Sequence, residues 1–422
     1  MRYSALQNVT LNLPRAAYLA DRDDAELFAK LDELMEIAVK AHRQKRGFIE
    51  KLLRLGPKGP LSLLSMKRDG QPYLRMSRVT YLIGLLGLNE LVEAHTGKQL
   101  HESEEAFDLG LKVTAHLNLA CKRTSLREGM RFVLEQTPAE SACYRLAKLD
   151  LKYIPERAAD VVKGREDNSE VYYTNSTQLN VGDVVNPIVR VHREGQFHDM
   201  IEAGALTHVF LADARPSADS IANFVGKTFY RTRNAQIAFS PEFTSCNSCS
   251  KVHRGLADAC AYCGSSNVDG ITRVTGYFSL VSGWNVGKRA ELRDRSTWNA
   301  STAKPVRLHA ASRNGDGIEI FGINQNVLHP SGCPRCEQAK RIIGQELGRA
   351  YTFWDIDTPE GLAALAKYEL NSIAERRLPI IRVGDETFDV LGKAVKYLKN
   401  DGHGRARAQL AVETAPAHEL QP

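Results

Sequence analysis

Six of the eight cysteines in this 422-residue chain fall in three C-x-x-C pairs, Cys246/Cys249, Cys260/Cys263 and Cys333/Cys336. No other feature restricts the possible folds as tightly. In a reducing compartment such pairs bind metal or carry out thiol chemistry and do not form a disulfide framework. The first two pairs read Cys246-x2-Cys249-x10-Cys260-x2-Cys263, two knuckles of the kind that close around tetrahedral zinc with Zn–S bonds of ~2.3 Å. Four thiolates leave no open position for water, so the zinc expected here is structural. An iron–sulfur cluster or two separate redox pairs compete with this reading, but two closely spaced knuckles are the usual zinc-ribbon pattern. Gly264 suits a knuckle turn, and His253 is expected to be a solvent-facing loop residue. Lys251 and Arg254 do not make a dense basic and aromatic face, so nucleic acid is not an expected partner. Cys121 and Cys143 stand alone and are expected as small buried apolar residues.

The length implies two or more domains. The net charge of +6 is spread among acids and does not single out a partner class. The longest uncharged apolar stretch, Thr80 to Leu88, is far shorter than the ~20 residues of a spanning helix. Arg15, Asp21 and Asp23 interrupt any apolar run near the N-terminus, so no signal peptide and no membrane partner is expected, and a cytoplasmic location follows.

The pattern is mixed α/β. Residues 23–55 have the spacing of an amphipathic helix ending at Gly56. Tyr81 to Val92 is apolar on most faces and reads as a buried helix, and a third helix is expected over 103–121. Arg131 to Glu135 reads as a strand, followed by a helix from Pro138 through Leu149. Beyond 171 short strands (171–174, 206–211, 236–239) alternate with helices such as 217–231. Residues 296–315 are polar and read as a linker. A smaller α/β unit spans 316–400, and the tail 401–422 has a composition expected to be disordered.

Gly276 lies thirteen residues beyond Cys263, within Arg273-Val274-Thr275-Gly276-Tyr277-Phe278. On local sequence alone, a bulge or tight turn between strands would explain it. The segment resembles the glycyl-radical loop of the anaerobic (class III) ribonucleoside-triphosphate reductases, in which a zinc ribbon immediately precedes the radical glycine. Further resembling stretches are Val9-Thr10-Leu11-Asn12-Leu13-Pro14-Arg15, Thr137-Pro138-Ala139-Glu140-Ser141, Tyr173-Thr174-Asn175-Ser176, Gly204 to Val209 and Phe239 to Phe243. Together they run over about residues 5 to 295.

The resemblance implies half of a ten-stranded glycyl-radical-enzyme barrel with surrounding helices over 1–240, and a zinc ribbon with radical loop over 241–295. It implies Gly276 as the radical residue, generated by a radical-SAM iron–sulfur activating enzyme. It also implies ribonucleoside triphosphates as substrates, a homodimer of the assembled enzyme, and Asn12, Asn175 and Ser176 as candidate substrate contacts. In the family the radical oxidises a cysteine to a thiyl, which abstracts the ribose 3′ hydrogen. That cysteine precedes the motif beginning here at Val9, so the expectation is a separate N-terminal reductase part, with this chain inactive alone. Another glycyl-radical enzyme, or a non-catalytic zinc-ribbon and redoxin adaptor, are the alternatives.

The third pair opens a helix after a strand, in His329-Pro330-Ser331-Gly332-Cys333-Pro334-Arg335-Cys336, and a strand, a helix and a hairpin around Gly384-Asp385 follow. This order resembles glutaredoxin-like members of the thioredoxin fold. The resemblance makes Cys333 the attacking thiol, favoured as a thiolate by the helix N-terminus. Cys336 becomes the resolving thiol, and Pro379 the cis-proline that docks opposite them. A third metal knuckle is the competing reading. The Gly-Gly of glutathione-binding relatives is absent around Phe388-Asp389-Val390. A fused redoxin implies a dithiol electron donor, with formate as the other route in the family.

Overall fold

The computed structural model describes residues 4–165, 170–298 and 317–400. The expected tail 401–422 and the expected linker 296–315, apart from residues 296–298, lie outside them. Ser296 and Trp298 still bond to the first unit, donating their N–H groups to Val181 and Phe210 carbonyls at 2.7 Å each.

The first unit is organised around parallel strands covered by helices. Ser4–Asn12, Val79–Leu86 and Arg131–Gln136 form a parallel sheet with Val79–Leu86 in the middle. Thr207–Ala212 and Ile237–Pro241 form a second parallel pair. The two groups are joined where Ala203 and Gln136 exchange backbone bonds with Leu134 and Gly204. The 31-residue helix Asp24–Arg54 starts at Asp23, whose carboxylate accepts the Glu26 N–H at 2.8 Å. This satisfies one of the four amides left open at a helix start. The helix buries Leu27, Leu31, Met35, Ala38 and Val39 against one face of the sheet, beside helix Glu104–Glu128.

Two sequence expectations are corrected. Tyr81 to Val92 is a strand ending at Leu86 and a separate helix, Leu88–Thr96, joined by Gly87 at φ +76°. A strand buried on both faces has no alternation, so its periodicity does not separate it from a buried helix. The helix expected over 103–121 continues to Glu128 and stops at Gly129 in the left-handed region.

The opposite face of the sheet carries a polar cluster among Leu82, Leu86 and Val133. An added Cβ at Gly84 would come within 2.8 Å of Asn8 Oδ1, Thr10 Oγ1 and Thr137 Oγ1, so only glycine leaves room for that cluster. Asn8 also donates to Glu135, whose carboxyl is pushed above its ordinary value by burial.

Phe243–Cys246, Val252–Arg254, Val268–Arg273 and Phe278–Leu280 make a small antiparallel sheet that holds both cysteine knuckles. Helix Val286–Asp294 follows.

Residues 318–400 form a four-stranded sheet in the order 351–355, 318–322, 380–383, 386–388, with the first pairing parallel and the others antiparallel. Helix Pro359–Lys367 lies on helix Glu104–Glu128, and Leu362, Leu365 and Ala366 share one apolar core with Phe107, Leu111 and Ala115. Polar contacts rim the junction: Lys367 with Asp108 at 2.6 Å, Lys112 with Glu360 at 2.9 Å, and Gln196 donating to the Lys367 carbonyl at 2.8 Å. Among the described residues no helix is long and apolar enough to cross a membrane.

Candidate functional site

The four cysteines 246, 249, 260 and 263 converge, with all four sulfurs within 4.8 Å of one another. Cys246 and Cys263 sulfurs are 3.7 Å apart, and Cys249 and Cys260 sulfurs 3.6 Å. Tetrahedral Zn–S bonds of ~2.3 Å require sulfurs about 3.8 Å apart, so these two pairs are already at the spacing zinc needs. The two knuckles are built alike. Ser250 donates its N–H to the Cys246 carbonyl and Gly264 to that of Cys260, each at 2.9 Å. Both turns pass through left-handed backbone, at Ser250 (φ 58°) and Gly264 (φ 72°). Backbone N–H groups, that of Cys249 foremost, lower the Cys246 thiol to about 6, and those around Tyr262 lower Cys260 as well. The Cys249 thiol moves the other way: the Lys251 N–H favours its thiolate, but desolvation and the crowded sulfurs outweigh it and push it up. His253 is half-buried, not solvent-facing, and its ring lies against Tyr262 at 6.2 Å.

Gly276 lies in the tight connection between Val268–Arg273 and Phe278–Leu280, closed by the Val274 N–H donating to the Tyr277 carbonyl at 3.1 Å. Val274 and Thr275 are buried, while Gly276 and Tyr277 are exposed. Its φ is outside the left-handed region, and a Cβ added there would meet nothing within 4 Å. Neither backbone geometry nor crowding therefore demands glycine. Gly84 is the contrast, because there the fold does.

The turn is pinned on both sides. Thr275 Oγ1 donates to Glu140 Oε1 at 2.6 Å, and Asn285 Nδ2 donates to the Glu140 carbonyl at 2.9 Å. Arg273 donates from its guanidinium to the Gly276 carbonyl and, at 3.2 Å, to that of Phe239. Behind the turn, Lys288, Glu291 and Arg295 form a buried ionic group. Desolvation pushes the Glu291 carboxyl up, but the Lys288 and Arg295 charges outweigh it and hold the group below its ordinary value. Arg273, Glu140, Thr10 and Thr137 lie in the stretches that carry the resemblance, but the sequence assigns no role to them or to Asn8 and Glu135. Alternation of polar residues at 8, 10 and 12 was the available signal for the cluster.

Asn12 donates to Asp150 Oδ2 at 2.8 Å, and Asp150 also takes the guanidinium of Arg15 and the Tyr173 hydroxyl. Asn175 Oδ1 accepts the Ala139 N–H at 3.2 Å, one residue from Glu140. Ser176 is fully buried at φ 48°, and its Oγ, like Asn12 Oδ1, is a buried oxygen without a partner among the described residues. The segment 173–176 thus joins the Asn12 side of the sheet to the Glu140 side.

Cys121 and Cys143 are buried, as expected, and burial pushes both thiols up, far from thiolate at neutral pH. Cys333 and Cys336 form a disulfide; Cys333 is half-buried and caps helix Pro334–Lys340, and Cys336 is fully buried. The Leu378–Pro379 bond is cis. Pro379 lines an open cavity of about 710 Å³ with Arg335, Gln338, Arg377 and Lys399.

The sequence profile described as "Anaerobic ribonucleoside-triphosphate reductase" matches residues 2–298. The chain belongs to this family. Anaerobic ribonucleoside-triphosphate reductases from Haemophilus influenzae and Escherichia coli K12 are each 26% identical to it, over 68% of this chain and 41% of their own length. The enzyme of phage T4 is 24% identical over 68% of this chain and 47% of its own. The chain therefore spans less than half the length of these reductases. Among solved structures, an anaerobic ribonucleotide reductase superposes with a TM-score of 0.59 at 21% identity, over 70% of this chain and 45% of that one. The Thermotoga maritima enzyme in complex with dATP and CTP gives 0.55 at 21% identity, over 68% and 45%. The reductase match stops before the unit at 318–400.

Proposed function

We propose that this chain is the radical-bearing part of an anaerobic ribonucleoside-triphosphate reductase, with Gly276 as the radical residue. The observation that carries the reading is the combination at Gly276. A tightly pinned turn in a reductase-family chain holds a glycine that neither its φ nor its surroundings require. Other glycines, Gly47 and Gly226 among them, share that freedom, so the reading leans on the resemblance to the family's radical loop, whose chemistry suits glycine: loss of a Cα hydrogen leaves an electron shared between the amide nitrogen and the carbonyl, with no side chain to twist it from conjugation. A radical-SAM iron–sulfur activating enzyme is the proposed source of that radical.

In this reading the five parallel strands are half of a ten-stranded barrel, spanning 1–240, and 241–295 is ribbon and loop. The ribbon's zinc is structural, because four thiolates fill its coordination sphere. The polar cluster around Gly84 is on the proposed substrate side, and Asn12, Asn175 and Ser176 are the proposed contacts of a ribonucleoside triphosphate. Cys121 and Cys143 pack into the apolar cores of the unit and are not proposed as the thiol that receives the radical. That thiol is proposed to come from a further piece of polypeptide, whether joined to this chain or separate. Residues 316–400 are proposed as a glutaredoxin-like donor, with half-buried Cys333 attacking, buried Cys336 resolving and Pro379 docking the partner disulfide. Each turnover consumes two electrons, the number this dithiol yields.

The test is anaerobic electron paramagnetic resonance of the chain complemented with the remaining reductase polypeptide and activated by a radical-SAM enzyme. A doublet is expected from the one remaining α-hydrogen, absent in Gly276→Ala. No doublet in the complemented complex, or a doublet that survives Gly276→Ala, overturns the reading and leaves the non-catalytic adaptor.

A further inference from the structure

We infer that Arg273 is a positioning residue that stabilises the unpaired electron at Gly276 by presenting a fixed cation to that glycine's own carbonyl; this rests on the radical reading above. Three contacts from three directions hold the guanidinium. Its Nη1 donates to the Gly276 carbonyl, its Nε donates to the Phe239 carbonyl at 3.2 Å, and its plane lies over the Phe278 ring at 4.5 Å. Phe239 belongs to the parallel strand Ile237–Pro241 and Phe278 to the ribbon sheet. The guanidinium is therefore aimed at Gly276 by two elements that do not include the turn. A guanidinium holds a planar fork of donors that lysine lacks.

The electronic consequence follows from where the unpaired electron spreads. An amide nitrogen donates into the Cα centre and a carbonyl withdraws from it. A charge-assisted hydrogen bond to the carbonyl oxygen strengthens that withdrawal, and such bonds are about twice as strong as neutral ones. The contact is therefore stronger to the radical than to the closed-shell glycine, and only such a differential contact shifts the balance between the two. On the other side, the Thr275 hydroxyl fixed to Glu140 at 2.6 Å restrains the preceding peptide.

The radical is spent when a thiol returns a hydrogen atom. The S–H bond breaks, the Gly276 Cα–H bond forms, and the unpaired electron passes to sulfur. Removing the cation raises the energy of the Cα radical and makes this transfer less uphill, so the signal decays faster in the presence of a thiol.

The experiment uses the complemented, activated enzyme and follows the doublet under excess dithiothreitol without oxygen. Arg273→Gln is expected to shorten the signal lifetime several-fold, because only the part of the charged hydrogen bond that is stronger to the radical than to closed-shell glycine counts, and to change the doublet splitting. Arg273→Lys recovers part of the lifetime, and Phe278→Leu, which removes the ring over the guanidinium, falls between wild type and Arg273→Gln. Zinc content and circular dichroism are expected to match wild type throughout. Wild-type lifetime and splitting in Arg273→Gln overturn the inference. So does a loss that tracks zinc release, and if Arg273→Gln does not fold, an unchanged Phe278→Leu overturns it. In those cases Gly276→Ala still abolishes the doublet and the radical reading stands. If the wild type gives no doublet, both fall.

Discussion

At the scale of single residues, the first unit is defined by which polar groups are matched and which are left over. Glu291 has lost its water but gains Lys288 and Arg295 in exchange, and its folded carboxyl titrates below the ordinary 4.5. Because the folded value lies below the unfolded one, its contribution to stability is complete above about pH 4.5 and is lost as pH falls through the lower folded value. Glu291→Gln leaves two buried cations unpaired and is expected to cost about 3–5 kcal/mol at pH 7. The variant should also have a flatter stability profile on the acid side. Chemical denaturation between pH 7 and 3 measures both, and an unchanged pH-7 midpoint would count against the buried network. His208 points the same way: burial lowers its imidazole to about 3, so it stays neutral in the folded state and adds to the acid limb below its unfolded value of 6.5.

At the scale of elements, the sequence was most legible where chemistry is local. The C-x-x-C spacing identified both knuckles. The helices expected over 23–55 and 217–231 appear at 24–54 and 218–231. What stayed hidden is long-range. Thr275 meets Glu140 across 135 positions and Asn12 meets Asp150 across 138, and no local pattern encodes such pairings. The strand at 79–86 was hidden for a different reason, since burial on both faces erases the period of two. The ribbon sheet carries its own prediction. Its strands are short, and the Gly276 turn joins the two strands beyond the knuckles. Stripping zinc with a chelator should therefore release amide hydrogen exchange across 243–280 while helices Asp24–Arg54 and Glu104–Glu128 keep their protection. Zinc should bind at one ion per chain, and unchanged exchange in the ribbon after zinc removal would refute its dependence on metal.

At the scale of the whole molecule, composition and texture suggested two units joined by a polar connection, and nothing in either unit's sequence announced that they would share a core. Leu362, Leu365 and Ala366 have ordinary helical spacing, and only the docked arrangement shows that they face Phe107 and Leu111. If that junction holds the units together, a chain cut by an inserted protease site between Trp298 and Gly317 should still elute as one species. Leu365→Asp should let the pieces separate on size-exclusion chromatography. Separation of the cut wild-type pieces at micromolar concentration would show the junction to be too weak for this.

The seating of helix Pro359–Lys367 on helix Glu104–Glu128 also bears on how such a chain can be inherited. When an interface rather than a peptide bond keeps two parts in register, the gene is free to split at the joint. Each product would find the other by its surface, and the disulfide-bearing part would return to the same orientation. Fission and fusion at this joint then become changes of bookkeeping in the genome, with little consequence for the assembled particle.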